Sequence, residues 1–380
     1  MIRSRSDLAS ARRIVVKIGS SLLADAETGV RQDVIDQLVD ELAACMADGM
    51  QAAIVTSGSV ALGRLRMGWT GREPSVHEKQ AAAAIGQPRL MRAYAQSFAR
   101  HGLSVAQMLL TKDDLRHRRR YLNASNTSET LFSAGVVPIV NENDTVVVVE
   151  IKFGDNDSLG ALVSLLIDGD LLVLLTDVDG LYDKNPAQHD DAKRISLVEH
   201  PGPEHMAMAG DAGSRFGTGG MASKLEAARM ATRGGVATAI INGGKSGTLG
   251  RLLAGEDEGT LFLCGVDRHT RRQHWIADVL HPAGRIHVDA GAVRALLERG
   301  GSLLPVGVAS VDGVFDKGDC VEIVAPSGRA IARGLSNYAA AEMRRIQGCA
   351  SDDIESVLGY NDFSSVVHRD NLVLHRREEE

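Results

Sequence analysis

Residues 52–63 read AAIVTSGSVALG. A short apolar run passes without alternation into a polar, glycine-centred turn, and a second apolar segment follows. Such a run belongs to a strand buried on both faces, and a glycine turn before a helix marks an α/β crossover. The same order recurs outward from this stretch. Upstream, a strand at 14–16 enters KIGSS at 17–21. Val34, Leu38, Leu42 and Met46, with Ile35 and Val39 beside them, mark one face of a helix over 33–46. Downstream, residues 78–100 read as an alanine-rich helix, broken or bent around Gly86–Pro88. Strands follow at 105–110 and 136–140, with a helix over 118–133 between them. Residues 146–151 read as one arm of a small hairpin, because β-branched residues crowd there. Helix 159–167, strand 171–175, helix 221–233 and strand 236–241 complete the rhythm. It predicts an α/β fold, an open, mostly parallel sheet sandwiched by helices.

The pattern changes near residue 260. Beyond it the apolar segments shorten, and Asp312-Gly313, Lys317-Gly318 and Ser327-Gly328 punctuate short strands. The chain is therefore read as an α/β domain over 10–263, a linker over 264–276 containing RHTRRQHW, a small mainly β domain over 277–360, and a C-terminal segment over 361–380. Its 380 residues suit two cores.

Composition narrows the function classes. Forty-two basic against 49 acidic residues give a net charge of −7, which disfavours broad nucleic-acid binding. Aromatic residues are 4%, too few for a stacking platform. The four cysteines form no C-x-x-C pair, and no apolar run is long enough to cross a membrane. The start, MIRSRSDLASARR, lacks the apolar stretch of a secretory signal, so a cytoplasmic location is expected. The twelve histidines make no H-E-x-x-H motif. RHRRR at 116–120 reads as a solvated helix start.

Ligands of open α/β sheets collect beyond the carboxyl ends of the strands. KIGSS, TSGS at 56–59, NEND at 141–144, TDVDG at 176–180 and NGG at 242–244 all lie at such ends. GTGGM at 217–221 leads into a helix carrying Lys224. Its glycines would let backbone N–H groups approach a phosphate, and Lys17 and Lys224 would supply positive charge for phosphoryl transfer. Ordinary turns and helix caps are the competing reading, since neither the P-loop nor the G-x-G-x-x-G pattern is present. In FGDNDSLG, Asp155, Asn156 and Asp157 are either a helix N-cap or groups that orient lysines and grip a substrate. Asp177 and Asp179 are either a strand-end turn or part of a nucleotide and magnesium site.

Taken in order, VVKIGSSLL, IVTSGSVALG, KQAAAAIGQ, QMLLTKDD, VPIVNENDTV, EIKFGDNDSLGALV, LLTDVDGLYDKNP and GTGGMASKLEAA closely resemble the glutamate 5-kinase family. These are amino-acid kinases with a C-terminal PUA domain, and HVDAGAVRALLERGGSLLPVGV, GRAIARGLSNY, SVLGY and VVHRD extend the likeness. Ser59 departs from a common alanine, and Ser223 from a common threonine. The resemblance implies an amino-acid kinase fold followed by a PUA-like domain. The implied reaction is ATP-dependent phosphorylation of the glutamate side-chain carboxylate, which opens proline biosynthesis. The catalytic residues it implies are Lys17, Lys224 and Asp157. Ser57, Gly58, Asn141, Asp144, Asp155 and Asn156 would bind glutamate. Lys17, Gly19, Thr176, Asp177 and the run Thr218, Gly219, Gly220, Met221, Ala222, Ser223, Lys224 would bind ATP, with Mg2+ held mainly through the nucleotide phosphates. Proline as feedback inhibitor, a homodimer or homotetramer, and contact with the next reductase of the pathway are further implications. Related kinases of aspartate, N-acetylglutamate or carbamate, and an RNA-binding role for the PUA-like domain, are the alternatives.

Overall fold

The computed structural model describes residues 2–25, 29–69, 71–146, 156–209, 220–265 and 280–375. The expected hairpin arm from residue 147 onward, the RHTRRQHW segment, and site residues Asp155, Thr218 and Gly219 lie outside them. The chain divides into two compact units: Met1–Lys112 with Ala124–Asp267, and Asp113–Asn123 with Arg268–Glu380.

The first unit is built on β1 (Arg13–Ile18), α1 (Gln32–Ala47), β2 (Gln51–Val55), α2 (Ser59–Met67), α3 (Val76–Ala99), β3 (Ser104–Leu110), α4 (Arg118–Ser133, its later part), β4 (Val136–Glu142), α5 (Asn156–Leu166), β5 (Leu171–Thr176), β6 (Leu197–Val198), α6 (Met221–Arg233), β7 (Ala237–Asn242) and β8 (Thr260–Phe262). Its sheet has the order β3-β4-β2-β1-β5-β7-β8-β6. Every neighbouring pair is parallel except β7 with β8. All six residues of β5 are buried, as a central strand covered on both faces requires. In β1 the alternation sorts side chains by face. Ile14, Val16 and Ile18 join the core with Ile35, Leu38 and Tyr94 of α1 and α3, while Lys17 lies on the opposite face, against α5.

The helix expected to be broken or bent around Gly86–Pro88 is not broken. Residues 76–99 form a single uninterrupted helix with Pro88 inside it. A proline frees the carbonyl four residues earlier, and here both Ala84 and Pro88 are exposed, so water can take the lost bond. Gly86 serves packing. A Cβ there would stand 1.8 Å from the Ser59 carbonyl oxygen, and a Cβ on Gly63 would stand 1.8 Å from that of Ala82. The two glycines let α2 and α3 touch along their backbones.

The chain start also folds into this unit. Ile2 and Leu8 are 1% and 0% exposed, and Arg5 donates to the carbonyls of Ser196, Glu256, Glu258 and Gly259.

The second unit carries β9 (Gly284–Val288), α7 (Ala290–Arg299), β10 (Val308–Gly313), β11 (Cys320–Val324), β12 (Ala330–Ser336), α8 (Ala340–Ile346) and β13 (Val367–Leu374). Its sheet runs β10-β9-β11-β12-β13 over a core that includes Ile286, Leu296, Ile323, Tyr338 and Met343. Asp289 caps α7 by accepting from Ala292 N at 2.7 Å. In the 116–120 segment Arg120 pairs with Asp113 and Asp114, and Arg116 and Arg119 are exposed, which fits a solvated helix start. Among the described residues, no helix is long and apolar enough to cross a membrane.

Candidate active site

Because β4, β2, β1, β5 and β7 are parallel neighbours, their carboxyl ends share one edge of the sheet. KIGSS, TSGS, NEND, TDVDG and NGG all leave from that edge.

At its centre Asp157, in the first turn of α5, is fully buried. Its Oδ1 lies 2.6 Å from Lys17 Nζ, and its Oδ2 lies 3.2 Å from Lys224 Nζ. Ser223 donates to the same Oδ2 at 2.7 Å and also to the Gly220 carbonyl. Lys17 and Lys224 are 4% and 6% exposed. Burial pushes the Asp157 pKa up, but the two ammonium groups and the Lys17 and Ser223 hydrogen bonds outweigh it and hold the carboxyl below its ordinary value. At Lys17 burial prevails: with the repulsion of Lys224, it outweighs the attraction of Asp157 and lowers the pKa. One carboxylate thus faces two closely held cations, a charge surplus suited to an incoming anion.

Beside this centre lies a chain of amides. Asn156 Nδ2 donates to the Thr56 carbonyl at 2.7 Å, to Ser57 Oγ at 2.8 Å and to Asn141 Oδ1 at 3.1 Å. Gly58 makes the turn between β2 and α2 with φ of 103°, a conformation that favours glycine. Asn141 Nδ2 donates to Gln87 Oε1 at 2.9 Å and reaches Ser59 Oγ at 3.4 Å. Ser59 in turn donates to Asp144 Oδ2 at 3.4 Å. Burial raises the Asp144 carboxyl to about 6, against a smaller opposing effect of the Ser59 bond. Ser57, Gly58, Asn141, Asp144 and Asn156 therefore gather in one place.

On the other flank Thr176 ends β5 opposite Asn242 of β7. Thr176 Oγ1 donates to Asp177 Oδ1 at 3.1 Å, and Asn242 Nδ2 donates to Asp179 Oδ1 at 2.9 Å. Lys245 pairs with Asp179 at 2.6 Å, which makes Asp179 a tie between two strand-end turns. Gly19 precedes a short helical turn, and Gly220, Met221, Ala222 and Ser223 open α6. Among the described residues no three His, Cys, Asp or Glu side chains form a metal-ligand cluster.

The sequence reading left out Thr56, Gln87 and Tyr94. Thr56 Oγ1 and the Tyr94 hydroxyl lie 3.0 Å apart, fully buried beneath the Ser57 turn. The GQ pair at 86–87 was the available signal, but it reads as a helix break until α2 is seen against it.

The fold and this lysine–aspartate–lysine centre define a phosphoryl-transfer protein of the amino acid kinase family, whose model matches residues 12–242, and a PUA domain model matches residues 284–358. The chain is 49% identical over 370 residues to the glutamate 5-kinase of Trichlorobacter lovleyi, covering 97% of this chain and 98% of that one. It is 50% identical over 367 residues to that of Geobacter sulfurreducens and 51% identical over 367 residues to that of Geobacter metallireducens, again covering 97% of this chain and 98% of each relative. The chain belongs to the glutamate 5-kinases within that family.

Proposed function

We propose that the protein transfers the γ-phosphoryl group of ATP to the side-chain carboxylate of L-glutamate, giving L-glutamate 5-phosphate and ADP, the step that opens proline biosynthesis. The observation that carries this reading is the pairing of two buried lysines on Asp157 with the adjoining amide pocket ending at Asp144.

The chemistry needs no base. A carboxylate with an ordinary pKa of about 4.3 is already an anion at neutral pH. One of its oxygens forms a bond to the γ-phosphorus as the bond to the β,γ-bridging oxygen breaks, and that electron pair leaves on ADP. The barrier is repulsion between two anions, so charge stabilisation and alignment dominate. Lys17 and Lys224 stabilise the transferring oxygens, and Asp157 keeps both ammonium groups at one point. The Asn156 amide and the Ser57–Gly58 turn position the acceptor, and Asp144 holds its α-ammonium group. Mg2+ arriving with the nucleotide would neutralise phosphate charge. Asp177, a carboxylate at the end of β5, is the residue suited to face it.

The test is an acceptor panel with magnesium–ATP and glutamate, aspartate, N-acetylglutamate or carbamate. Acyl phosphate formation, trapped as the hydroxamate, is expected with glutamate alone; equal turnover with another acceptor would overturn the assignment. Inhibition by proline, a homodimer or homotetramer, contact with the next reductase and a cytoplasmic location are proposals resting on family resemblance.

A further inference from the structure

Gln87 is 7% exposed, and its Nε2 is completely buried without a hydrogen-bond partner among the described residues. Leaving a buried amide donor unmade costs about 1–3 kcal/mol, so an unpaired one calls for an explanation. Its surroundings supply one. The Gln87 oxygen is engaged by Asn141 at 2.9 Å, and the Asn141 oxygen is engaged by Asn156 at 3.1 Å. The three amides therefore form a directional chain: Asn156 donates to Asn141, Asn141 donates to Gln87, and the Gln87 nitrogen stands at its end. Such chains polarise along their length, and the terminal donor here is Gln87 Nε2.

The chain also has a spatial direction. Asn156 is adjacent in sequence to Asp157, whose carboxylate pairs with Lys17 and Lys224, and that is the end where phosphoryl transfer takes place. Gln87 is at the far end, where Ser59 lies within 3.4 Å of both Asn141 Nδ2 and Asp144 Oδ2. The backbone contact between Gly86 and Ser59 sets α3 against that end.

We infer that Gln87 is a further substrate-binding residue, whose carboxamide NH2 donates to the α-carboxylate of the bound acceptor while Asp144 takes the neighbouring α-ammonium. The assignment rests on the glutamate kinase reading. An amino acid carries both groups on one carbon, and a buried donor linked through Asn141 and Ser59 to the half-buried Asp144 carboxylate matches that pair. The unpaired donor is thereby satisfied only when substrate is present, so the site favours acceptors with an α-carboxylate.

Two variants separate donation from mere support of Asn141. Gln87→Glu keeps the size and the acceptor oxygen for Asn141 but replaces the donor with a negative group at pH 8. Gln87→Met removes donor and acceptor. Steady-state constants for glutamate and magnesium–ATP are measured for each, with melting curves with and without glutamate. The expected result is a KM for glutamate raised about tenfold or more in Gln87→Met and further in Gln87→Glu. kcat should stay within about threefold and the KM for ATP within about twofold, the signature of lost ground-state binding. Glutamate should no longer raise the melting temperature of either variant. A Gln87→Glu enzyme with the wild-type KM for glutamate would reduce Gln87 to an acceptor that positions Asn141 and overturn the inference. Should Gln87→Met fold poorly, the Gln87→Glu comparison still decides. A wild-type protein inactive with glutamate refutes the function itself; an active wild type with indifferent Gln87 variants refutes this inference alone.

Discussion

Lys17 and Asp157 meet at 2.6 Å with both side chains sealed from water, and Lys224 shares the same carboxylate. Removing the one anion leaves two buried ammonium groups facing each other. Asp157→Asn should lower kcat by roughly 10²–10⁴ and destabilise the fold by about 3–5 kcal/mol. Its residual activity should shift toward lower pH, because unpaired buried lysines shed protons more readily. Lys224→Ala should lose turnover to a similar degree while melting near the wild type. Near-normal kcat in either variant would remove the centre from the reaction.

Asp144 gives a pH prediction. Its carboxyl is raised from 3.8 to about 6 by burial. A raised folded pKa means the group's favourable contribution is complete below 3.8 and is lost as pH rises through about 6. Without ligand, the melting temperature of the wild type relative to Asp144→Asn should therefore fall across that window. The substrate ammonium requires the ionised form, so KM for glutamate should climb below pH 6 while KM for ATP stays flat. Asp144→Asn should weaken glutamate use by roughly 2–5 kcal/mol and abolish this pH dependence. Parallel pH profiles in the two proteins would refute the assignment.

Gly86 tests the helix contact. A methyl group there would overlap the Ser59 carbonyl oxygen, placed 1.8 Å away, and both partners are backbone. Gly86→Ala should cost about 1–3 kcal/mol or more in denaturant unfolding despite alanine's better helix propensity. KM for glutamate should rise with it, since Ser59 and Gln87 flank the contact. An alanine variant as stable as the wild type would show that α2 and α3 can separate freely.

Arg5 fastens the chain start. Its guanidinium reaches four backbone carbonyls and an ion pair with Asp257 at 3.2 Å. Arg5→Ala should lower stability by about 2–3 kcal/mol, the scale of charged hydrogen bonds, without changing either KM. Thermal melting and limited proteolysis of residues 2–12 provide the measurement; unaltered protection of that segment would count against the clasp.

The sequence alone determined the layered architecture. Buried strands read as unbroken apolar runs, amphipathic helices as a 3.6-residue recurrence, and both signals are local. It also located the polar turns that share one sheet edge, because turns after buried strands must gather there once the strands run parallel. That is how Lys17 and the segments NEND and TDVDG stood out before any contact was known, while the family resemblance pointed to Asn141, Asp144 and Thr176 within them. Tertiary structure decided what those groups do to one another. Lys17, Asp157 and Lys224 converge on one point, which depends on which sheet face α5 and α6 cover. Gly86 and Pro88 looked like a helix break or bend, yet the helix runs through both, Gly86 is a contact surface and Pro88 is exposed. Gln87 gave only the GQ pair as a signal, and a glutamine on an alanine-rich helix is ordinary until its partners are seen. Arg5 lay in a segment that read as a simple basic start, and its acceptors are carbonyls some 190–250 residues away. A local pattern reports which residues seek burial; which buried polar groups then satisfy or strand one another is settled only when distant segments close together.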